Sequence, residues 1–311
     1  MGSRRGATLP AVRVAITGAT GLIGSALAEA LRERGDEPVV VTRSPRPGTT
    51  EIGWDPAQGF DPPDVLAGVD AVVNLAGESI AGRWTRAKKA RILASRVHAS
   101  RAVVEGIAAA HPRPRVLISA SGIGVFGDRG DELLTEASEP GDDFLAEVCR
   151  AWEGAAQAVE PLTDPPVRLC IARFGMVLAR DGGALAEMLT PFKLGLGGPI
   201  AGGRQWMAWI HLRDAVDALL FMLDHADAAG IFHVIAPNPV RNREFVDALA
   251  GALHRPALLP VPRFGVRAAF GEMGEALLLS GQRAVPQRLL DAGFEFGFPE
   301  LRPALAALLG G

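Results

Sequence analysis

The fold is decided near the start of the chain by the stretch Val12-Arg-Val-Ala-Ile-Thr-Gly-Ala-Thr-Gly-Leu-Ile-Gly24. Residues 12–16 form an apolar run rich in β-branched side chains, which predicts a buried strand. Apolar residues between 22 and 31 recur at a helical period, which predicts a helix. The three glycines between these elements predict a dinucleotide site, because glycine lets a pyrophosphate approach the backbone and the helix N-terminus favours its charge.

The predicted cofactor contacts begin in this turn and continue at the end of a second strand, residues 38–42. From the turn they are Gly18, Thr20, Gly21, Leu22, Ile23 and Gly24, and from the strand end Thr42, Arg43 and Ser44. An acidic residue at this strand end binds the ribose hydroxyls of NAD, whereas an arginine suits a 2′-phosphate. The sequence therefore favours NADP(H) over NAD(H). Arg43 and Arg46 also fit a solvated basic loop, and on that interpretation NAD(H) stays possible.

Three later strands, predicted near residues 70–74, 115–120 and 167–172, place further residues at the same edge of the sheet. The cofactor contacts predicted from them are Leu75, Ala76, Gly77, Ser119 and Arg173. Strands and helices alternate up to about residue 175. This alternation predicts an α/β fold, a Rossmann-like, doubly wound parallel sheet with helices on both faces.

The rest of the chain predicts a small, mainly helical C-terminal lobe. We expect a disordered leader at residues 1–10 and an NAD(P)-binding Rossmann domain at 11–236, with a substrate-side insertion at about 176–208. A helical domain follows at 237–311, with one of its helices predicted at 264–279. The polar, glycine-rich region around Arg204 and Gln205 fits a substrate mouth.

The amino-acid composition indicates which binding partners and which compartment to expect. The net charge of −3 and the pI of about 6.1 give no electrostatic reason to expect nucleic acid or an anionic membrane as a partner. Two cysteines, Cys149 and Cys170, lack metal-ligand spacing, so no metal site is expected, and they suit a reducing compartment. We therefore expect a cytoplasmic protein with a small-molecule substrate; an oligomer is possible but unsupported.

The whole stretch from residue 12 to 309 resembles the epimerase family of atypical short-chain dehydrogenase/reductases to which the human 39U member belongs. The motifs that carry the resemblance lie at residues 17–24, 42–44, 74–80, 83–85, 95–96, 118–121, 182–183, 195–199, 209–211, 237–239, 254–256 and 281–283. The resemblance implies an NADP(H)-binding Rossmann domain and a small C-terminal domain of the DUF1731 type. It also implies a substrate-binding serine at the end of the fifth strand, where Ser121 follows Ser119.

One departure from the reductase pattern concerns catalysis. Reductases of this class use a tyrosine as general acid/base and a lysine four residues later. This chain contains no tyrosine, and Phe144 and Val148 occupy that spacing on the expected helix. Its only lysines are Lys88, Lys89 and Lys193. Phenylalanine cannot exchange a proton, so tyrosine-dependent hydride transfer is excluded.

Two functions remain open. The first is an NADP(H)-dependent epimerase-like oxidoreductase acting on a sugar nucleotide or a small carbonyl compound, with a substitute acid. The catalytic candidates are Ser121, His211 and Glu136, with Glu78 and Asp214 as further acids; each also has a structural reading as a cap or hydrogen bonder. The second function is a non-catalytic NADP(H)-binding protein that regulates a partner.

Overall fold

The computed structural model describes residues 11–257 and 259–310, so the leader predicted at residues 1–10 lies outside the described residues. The strands are β1 (Arg13–Thr17), β2 (Glu37–Thr42), β3 (Ile52–Asp55), β4 (Gly59–Phe60), β5 (Ala71–Asn74), β6 (Val116–Gly122), β7 (Leu133–Leu134), β8 (Arg168–Phe174), β9 (Met176–Leu178), β10 (Trp206–Met207), β11 (Trp209–His211), β12 (Gly230–Val234), β13 (Val240–Arg241) and β14 (Arg283–Ala284). The helices are α1 (Leu22–Glu33), α2 (Arg86–Ala109), α3 (Phe144–Gln157), α4 (Gly183–Lys193), α5 (Leu212–Asp224), α6 (Asn242–Leu253), α7 (Arg263–Phe270), α8 (Glu272–Gly274), α9 (Gln287–Asp291) and α10 (Leu301–Leu309).

Eight strands form the central sheet, in the order β12-β8-β6-β5-β1-β2-β3-β4. Every neighbouring pair is parallel except β3 and β4, which form an antiparallel hairpin at one edge. Helices cover both faces of the sheet, with α1 and α5 packed on one face and α2 and α3 on the other. The predicted Rossmann-like, doubly wound sheet is confirmed.

Side chains alternate between the two faces of the sheet, and each face has its own apolar core. From β1, Val14 and Ile16 pack in the cluster that includes α1 and α5, whereas Ala15 packs in the cluster beneath α2. A strand with both faces covered needs a continuous apolar sequence, which is why residues 14–16 are apolar throughout.

The helix predicted at 264–279 is divided into α7, α8 and a π-helical turn, Glu275–Leu279. The division occurs at Gly271, whose φ of +59° cannot continue a right-handed helix. The chain then folds back closely, because a Cβ on Gly274 would lie 2.8 Å from the Val266 side chain. Helix propensity is a local property and contains no information about this close contact.

Strand pairing joins the C-terminal segment to the first part of the chain. β13 pairs with β10, and β14 pairs with β7. The guanidinium of Arg288 donates to the carbonyls of Ile231 and Ala229, at 2.8 and 2.7 Å, and so covers the outer edge of β12. Unpaired edge carbonyls would otherwise be open to another strand.

Candidate functional site

The carboxyl ends of β1 and β5 mark the point at which the strand order reverses. Thr17 and Asn74 end these two strands and lie opposite each other in the sheet register. Ligands of open α/β sheets bind in the crevice at such a point. The predicted cofactor residues at 18–24, 42–44 and 75–77 all follow strands that end at this edge.

A buried hydrogen-bond network fixes the turn after β5. The Thr17 hydroxyl donates to Asn74 Oδ1 at 2.7 Å and accepts from the amides of Leu75 and Ala76 at 3.1 and 3.2 Å. Asn74 Nδ2 donates to the hydroxyls of Ser100 at 3.0 Å and Ser119 at 3.5 Å. Ser119 is thus buried beneath the turn and supports it.

The three glycines of the first turn have different roles. Gly18 has φ +67°, and a Cβ on it would lie 2.9 Å from the carbonyl group of Leu75. A Cβ on Gly24 would lie 2.3 Å from the Gly18 oxygen, so this glycine allows α1 to pack against the turn. A Cβ on Gly21 would have one neighbour, the Gly18 oxygen at 3.2 Å, among the described residues. Gly21 therefore borders open space.

The N-terminus of α1 opens into that space. Gly21 is the N-cap residue, and the first turn of the helix contains neither a side-chain cap nor an acidic residue. The first-turn amides consequently retain their capacity to bind an anion, which the helix dipole favours. The turn, the free helix end and the absence of a competing side chain among residues 11–257 and 259–310 fit the pyrophosphate of a dinucleotide.

The basic segment after β2 separates into one paired and one unpaired arginine. Arg46 forms an ion pair with Glu51, in which Nη2 and Nε both donate to Oε1, at 2.7 and 2.9 Å. Within residues 11–257 and 259–310, Arg43 forms no ion pair, and it is exposed. The amide of Ser44 donates to the Thr42 hydroxyl at 3.3 Å, which shapes the strand end. Arg43 is therefore the arginine available to a 2′-phosphate.

Ser121 belongs to a buried charged cluster. Its hydroxyl donates to Glu153 Oε1 at 2.6 Å, and Arg173 donates to both Glu153 oxygens at 2.7 and 2.8 Å. Arg173 is 4% exposed and Glu153 is 7% exposed. The structure thus commits the predicted cofactor residue Arg173 to an internal ion pair. While the Ser121 proton points to Glu153, it is not available to a substrate carbonyl.

Glu153 is absent from the predicted site, although its sequence position contains a signal. It follows Leu145, Cys149 and Trp152 on the buried face of α3, where an isolated acidic residue requires a partner. That partner, Arg173, lies on another strand, so its identity depends on the tertiary fold.

The helix positions that match the missing tyrosine–lysine pair are packed with apolar side chains. Phe144 lies edge-on to Trp84 with ring centroids 5.1 Å apart, and Val148 is buried. Met273 from α8 belongs to the same cluster. Lys89 Nζ lies 4.4 Å from the centre of the Phe144 ring, and Glu272 binds this lysine.

Glu78 lies in the turn after Gly77 and is paired with cations from α2. Lys88 Nζ is 2.8 Å from Glu78 Oε1, and this hydrogen bond is the main reason that the carboxyl pKa is lowered. Beneath the turn, Arg96 donates to the Glu78 carbonyl at 2.9 Å. Burial lowers the pKa of Arg96, whose guanidinium lies 5.0 Å from the Trp152 ring centre.

His211 and Asp214 lie together at the start of α5, where both bind backbone amides. His211 Nδ1 accepts from the Arg213 amide at 3.0 Å, and its ring stacks on Phe298 with centroids 3.9 Å apart. Burial lowers the pKa of His211 to about 4, so the ring is neutral at pH 7. Asp214 accepts from the amides of Gly297 and Phe298, both at 2.9 Å, while burial raises its pKa.

Glu136 lies at the outer edge of the sheet, beside β12. Its Oε1 accepts from the amides of His233 at 3.0 Å and Arg288 at 3.3 Å, and burial raises its pKa. These contacts place Glu136 in the packing between β12 and α9. The proton-transfer roles of Ser121, His211 and Glu136 stay predictions.

Across residues 11–257 and 259–310, no helix is both long and apolar enough to cross a membrane. In the same part of the chain, no three His, Cys, Asp or Glu side chains are grouped so that they can hold a metal ion.

The fold and the glycine turn define a dinucleotide-binding protein of the Rossmann class. A family model described as the NAD dependent epimerase/dehydratase family matches residues 14–236, and one described as a domain of unknown function, DUF1731, matches residues 261–308. The chain belongs to the NAD-dependent epimerase/dehydratase family, within the group of epimerase family proteins that includes SDR39U1. The resemblance inferred from sequence is confirmed.

This chain is similar to curated relatives and to a solved structure over nearly its whole length. The epimerase family protein YfhF of Bacillus subtilis is 37% identical, over 96% of this chain and 98% of its own. Human SDR39U1 is 36% identical, over 96% and 100% of the two chains. The crystal structure of human SDR39U1 isoform 2 with NADPH has a TM-score of 0.87 at 35% identity, over 96% and 100% of the two chains. A chloroplastic homologue from Arabidopsis thaliana is 39% identical, over 95% of this chain and 86% of its own.

Proposed function

We propose that this chain binds NADP(H) in the crevice at the carboxyl ends of β1 and β5. The observation that carries the proposal is the open turn at Gly21, with the unpaired guanidinium of Arg43 at the end of the neighbouring strand. A helix N-terminus binds the pyrophosphate, and arginine binds a phosphate by charge-assisted hydrogen bonds. The NADPH in the human relative supports this choice of cofactor.

We further propose that the protein is an epimerase-like oxidoreductase acting on a sugar nucleotide or a small carbonyl compound. Bound NADP(H) would supply hydride chemistry. The chain's own residues would orient the cofactor through the 75–77 turn and keep water from the apolar region around Phe144. A proton would come from a residue other than tyrosine, with Ser121, His211 and Glu136 as the candidates.

Calorimetry tests the cofactor assignment. NADPH should bind at least about tenfold more tightly than NADH, a difference of about 1.4 kcal/mol, because only NADPH has a 2′-phosphate for Arg43. Equal affinities for the two cofactors would contradict this role of Arg43.

A non-catalytic NADP(H)-binding regulator is the second candidate function. It is favoured by the apolar packing of Phe144 and Val148 where a reductase needs its acid. Loss of a general acid typically lowers the reaction rate by a factor of about 10²–10⁴. This function predicts ordered NADPH binding with negligible turnover of simple aldehydes and ketones.

The two functions are separated by following the absorbance of NADPH with a panel of carbonyl substrates. Saturable oxidation would support the enzyme, and Ser121→Ala, His211→Gln and Glu136→Gln would then be assayed one at a time. A variant that loses turnover but retains NADPH affinity identifies the proton-transfer residue and excludes the regulator.

A further inference from the structure

Arg96, on α2, carries a positive charge that no carboxylate partner neutralises. Its guanidinium forms no ion pair within residues 11–257 and 259–310. Two acidic residues of this region already have cationic partners: Glu78 is paired with Lys88 at 2.8 Å, and Glu153 is paired with Arg173 at 2.7 Å. Positive charge is therefore in excess around Arg96.

Backbone carbonyls and an aromatic ring hold the guanidinium of Arg96 in one place. Its Nη1 donates to the carbonyls of Glu78 at 2.9 Å and Ile92 at 3.1 Å, and its Cζ lies 5.0 Å from the ring centre of Trp152. Ser95 contacts the same two residues, since its hydroxyl accepts from the Glu78 amide at 3.0 Å and donates to the Ile92 carbonyl at 3.1 Å. The Ser95–Arg96 pair thus fixes α2 against the segment that contains Glu78.

The rest of the guanidinium is available to a ligand. In the described part of the chain, Nε and Nη2 of Arg96 donate to no protein atom, and the residue is only half-buried. A Cβ on Gly77 would lie 3.2 Å from Arg96 Cζ, so the guanidinium packs against the 75–77 turn. The neighbouring thiol of Cys149 supplies no negative charge, because burial raises its pKa to about 11.

The order of the strands decides which half of a dinucleotide reaches Arg96. In the sheet, β2, β1, β5 and β6 are successive neighbours. In the proposed cofactor site, the 2′-phosphate lies at Arg43 after β2, and the pyrophosphate lies at Gly21 after β1. The other half of the molecule, the nicotinamide and its ribose, therefore continues toward the ends of β5 and β6. Arg96 lies beneath the turn at that end.

We propose that Arg96 makes this site select the reduced cofactor, NADPH, over NADP⁺. The proposal rests on the proposed function, since it assumes that NADP(H) binds in the crevice at β1 and β5. The nicotinamide ring carries a positive charge when it is oxidised and none when it is reduced, so a guanidinium repels only the oxidised ring. Screening by water and salt is weaker in a half-buried site than on the surface.

Such selectivity bears on both candidate functions. Binding the reduced form tenfold more tightly raises the reduction potential of the bound couple by about 30 mV, so a hydride is retained more readily on the bound cofactor. A regulator with the same selectivity would respond to the ratio of NADPH to NADP⁺ and not to their sum.

A purely structural role of Arg96 predicts a different result. If its contacts with Glu78 and Ile92 only hold the turn, a substitution should weaken the binding of NADPH and NADP⁺ by the same factor. The ratio of the two affinities would then stay unchanged. This ratio therefore separates the effect of the charge from the effect of the packing.

The test measures both affinities by calorimetry on the full chain. The parent should bind NADPH at least about tenfold more tightly than NADP⁺, and Arg96→Gln should reduce this ratio to about twofold or less. Arg96→Lys keeps the charge and should retain the ratio within about twofold. Arg101→Gln removes an exposed cation from the same helix and is the matched control, with the parental ratio expected because solvent screens its charge.

Three results would overturn the proposal. They are equal affinities of the parent for NADPH and NADP⁺, a parental ratio in Arg96→Gln, and a ratio lost in Arg96→Lys, which would assign the selectivity to hydrogen bonds and not to charge. If circular dichroism shows that Arg96→Gln is unfolded, Arg96→Met, which keeps an unbranched stem beside Trp152, takes its place. A parent that binds neither cofactor contradicts the proposed function, whereas equal binding of both contradicts only the role of Arg96.

Discussion

Two regions near the carboxyl ends of the parallel strands are built in opposite ways. At the end of β1, the chain replaces side chains with glycine and leaves the space beside Gly21 open. Between β6 and α3, side chains fill the space: Phe144 contacts Trp84, and beneath them Ser121, Glu153 and Arg173 form a closed cluster. The difference separates two requirements of an oxidoreductase. Cofactor binding needs empty space and free amides, whereas proton transfer needs a positioned acid.

The largest effect we predict concerns the closed cluster. Glu153→Gln should lower the free energy of unfolding by about 3–5 kcal/mol, because it leaves the buried charge of Arg173 without its carboxylate. Urea unfolding followed by circular dichroism measures this. Glu160→Gln, an exposed substitution just beyond α3, should change stability by less than about 0.5 kcal/mol. Similar stability of the two variants would show that the ion pair does not hold this region together.

A substitution in the open region should lower the affinity for NADPH and leave the protein folded. Gly21→Val should weaken NADPH binding by about 100-fold or more, roughly 2.7 kcal/mol, because the side chain occupies the space for the pyrophosphate. Calorimetry measures the affinity, and an unchanged circular dichroism spectrum shows that the protein is folded. Gly154→Val, at an exposed glycine with no neighbour within 4 Å among the described residues, is the control. Parental affinity in Gly21→Val would place the phosphate site elsewhere.

A pH dependence of stability should come from a buried histidine in β12, outside the open region. Burial lowers the pKa of His233 to about 4, below the usual 6.5. As the pH falls, the unfolded chain binds the proton first, so this contribution is complete above about pH 6.5 and is lost toward pH 4. Between pH 7 and pH 5 the loss is about 2 kcal/mol.

Urea unfolding of the parent and of His233→Gln at both pH values isolates this loss. The difference between the two pH values should be about 2 kcal/mol smaller in the variant. An unchanged difference would show that His233 does not titrate with a lowered pKa.

The smallest effect concerns the rim of the open region. Arg43→Asp should weaken NADPH binding about tenfold, about 1.4 kcal/mol, and reverse the preference toward NADH, because a carboxylate repels the 2′-phosphate and accepts from ribose hydroxyls. Competition between the two cofactors in calorimetry gives the ratio. Arg46→Gln, which breaks only the exposed pair with Glu51, should leave the ratio within about twofold.

The sequence predicted the open region better than the closed one. The glycine spacing and Arg43 are local signals, since a strand, a turn and a helix follow one another along the chain. The Ser121–Glu153–Arg173 cluster joins β6, α3 and β8, and local periodicity contains no information about which buried charges meet. The same limit applies to Gly271, where the close packing of α8 on α7 divides a predicted helix.

The hydrogen bonds of Arg288 have a consequence for the chain while it is being synthesised. β12 is complete by residue 234, and Glu136 is already present to accept its His233 amide, yet the side chain that binds the carbonyls of Ala229 and Ile231 comes more than fifty positions later. While the polypeptide is still emerging from the ribosome, these two carbonyls therefore stay uncovered until residue 288 has been added. A residue from the C-terminal lobe thus completes the cover of this edge, which gives a short terminal segment a role in protecting the nascent chain from strand exchange.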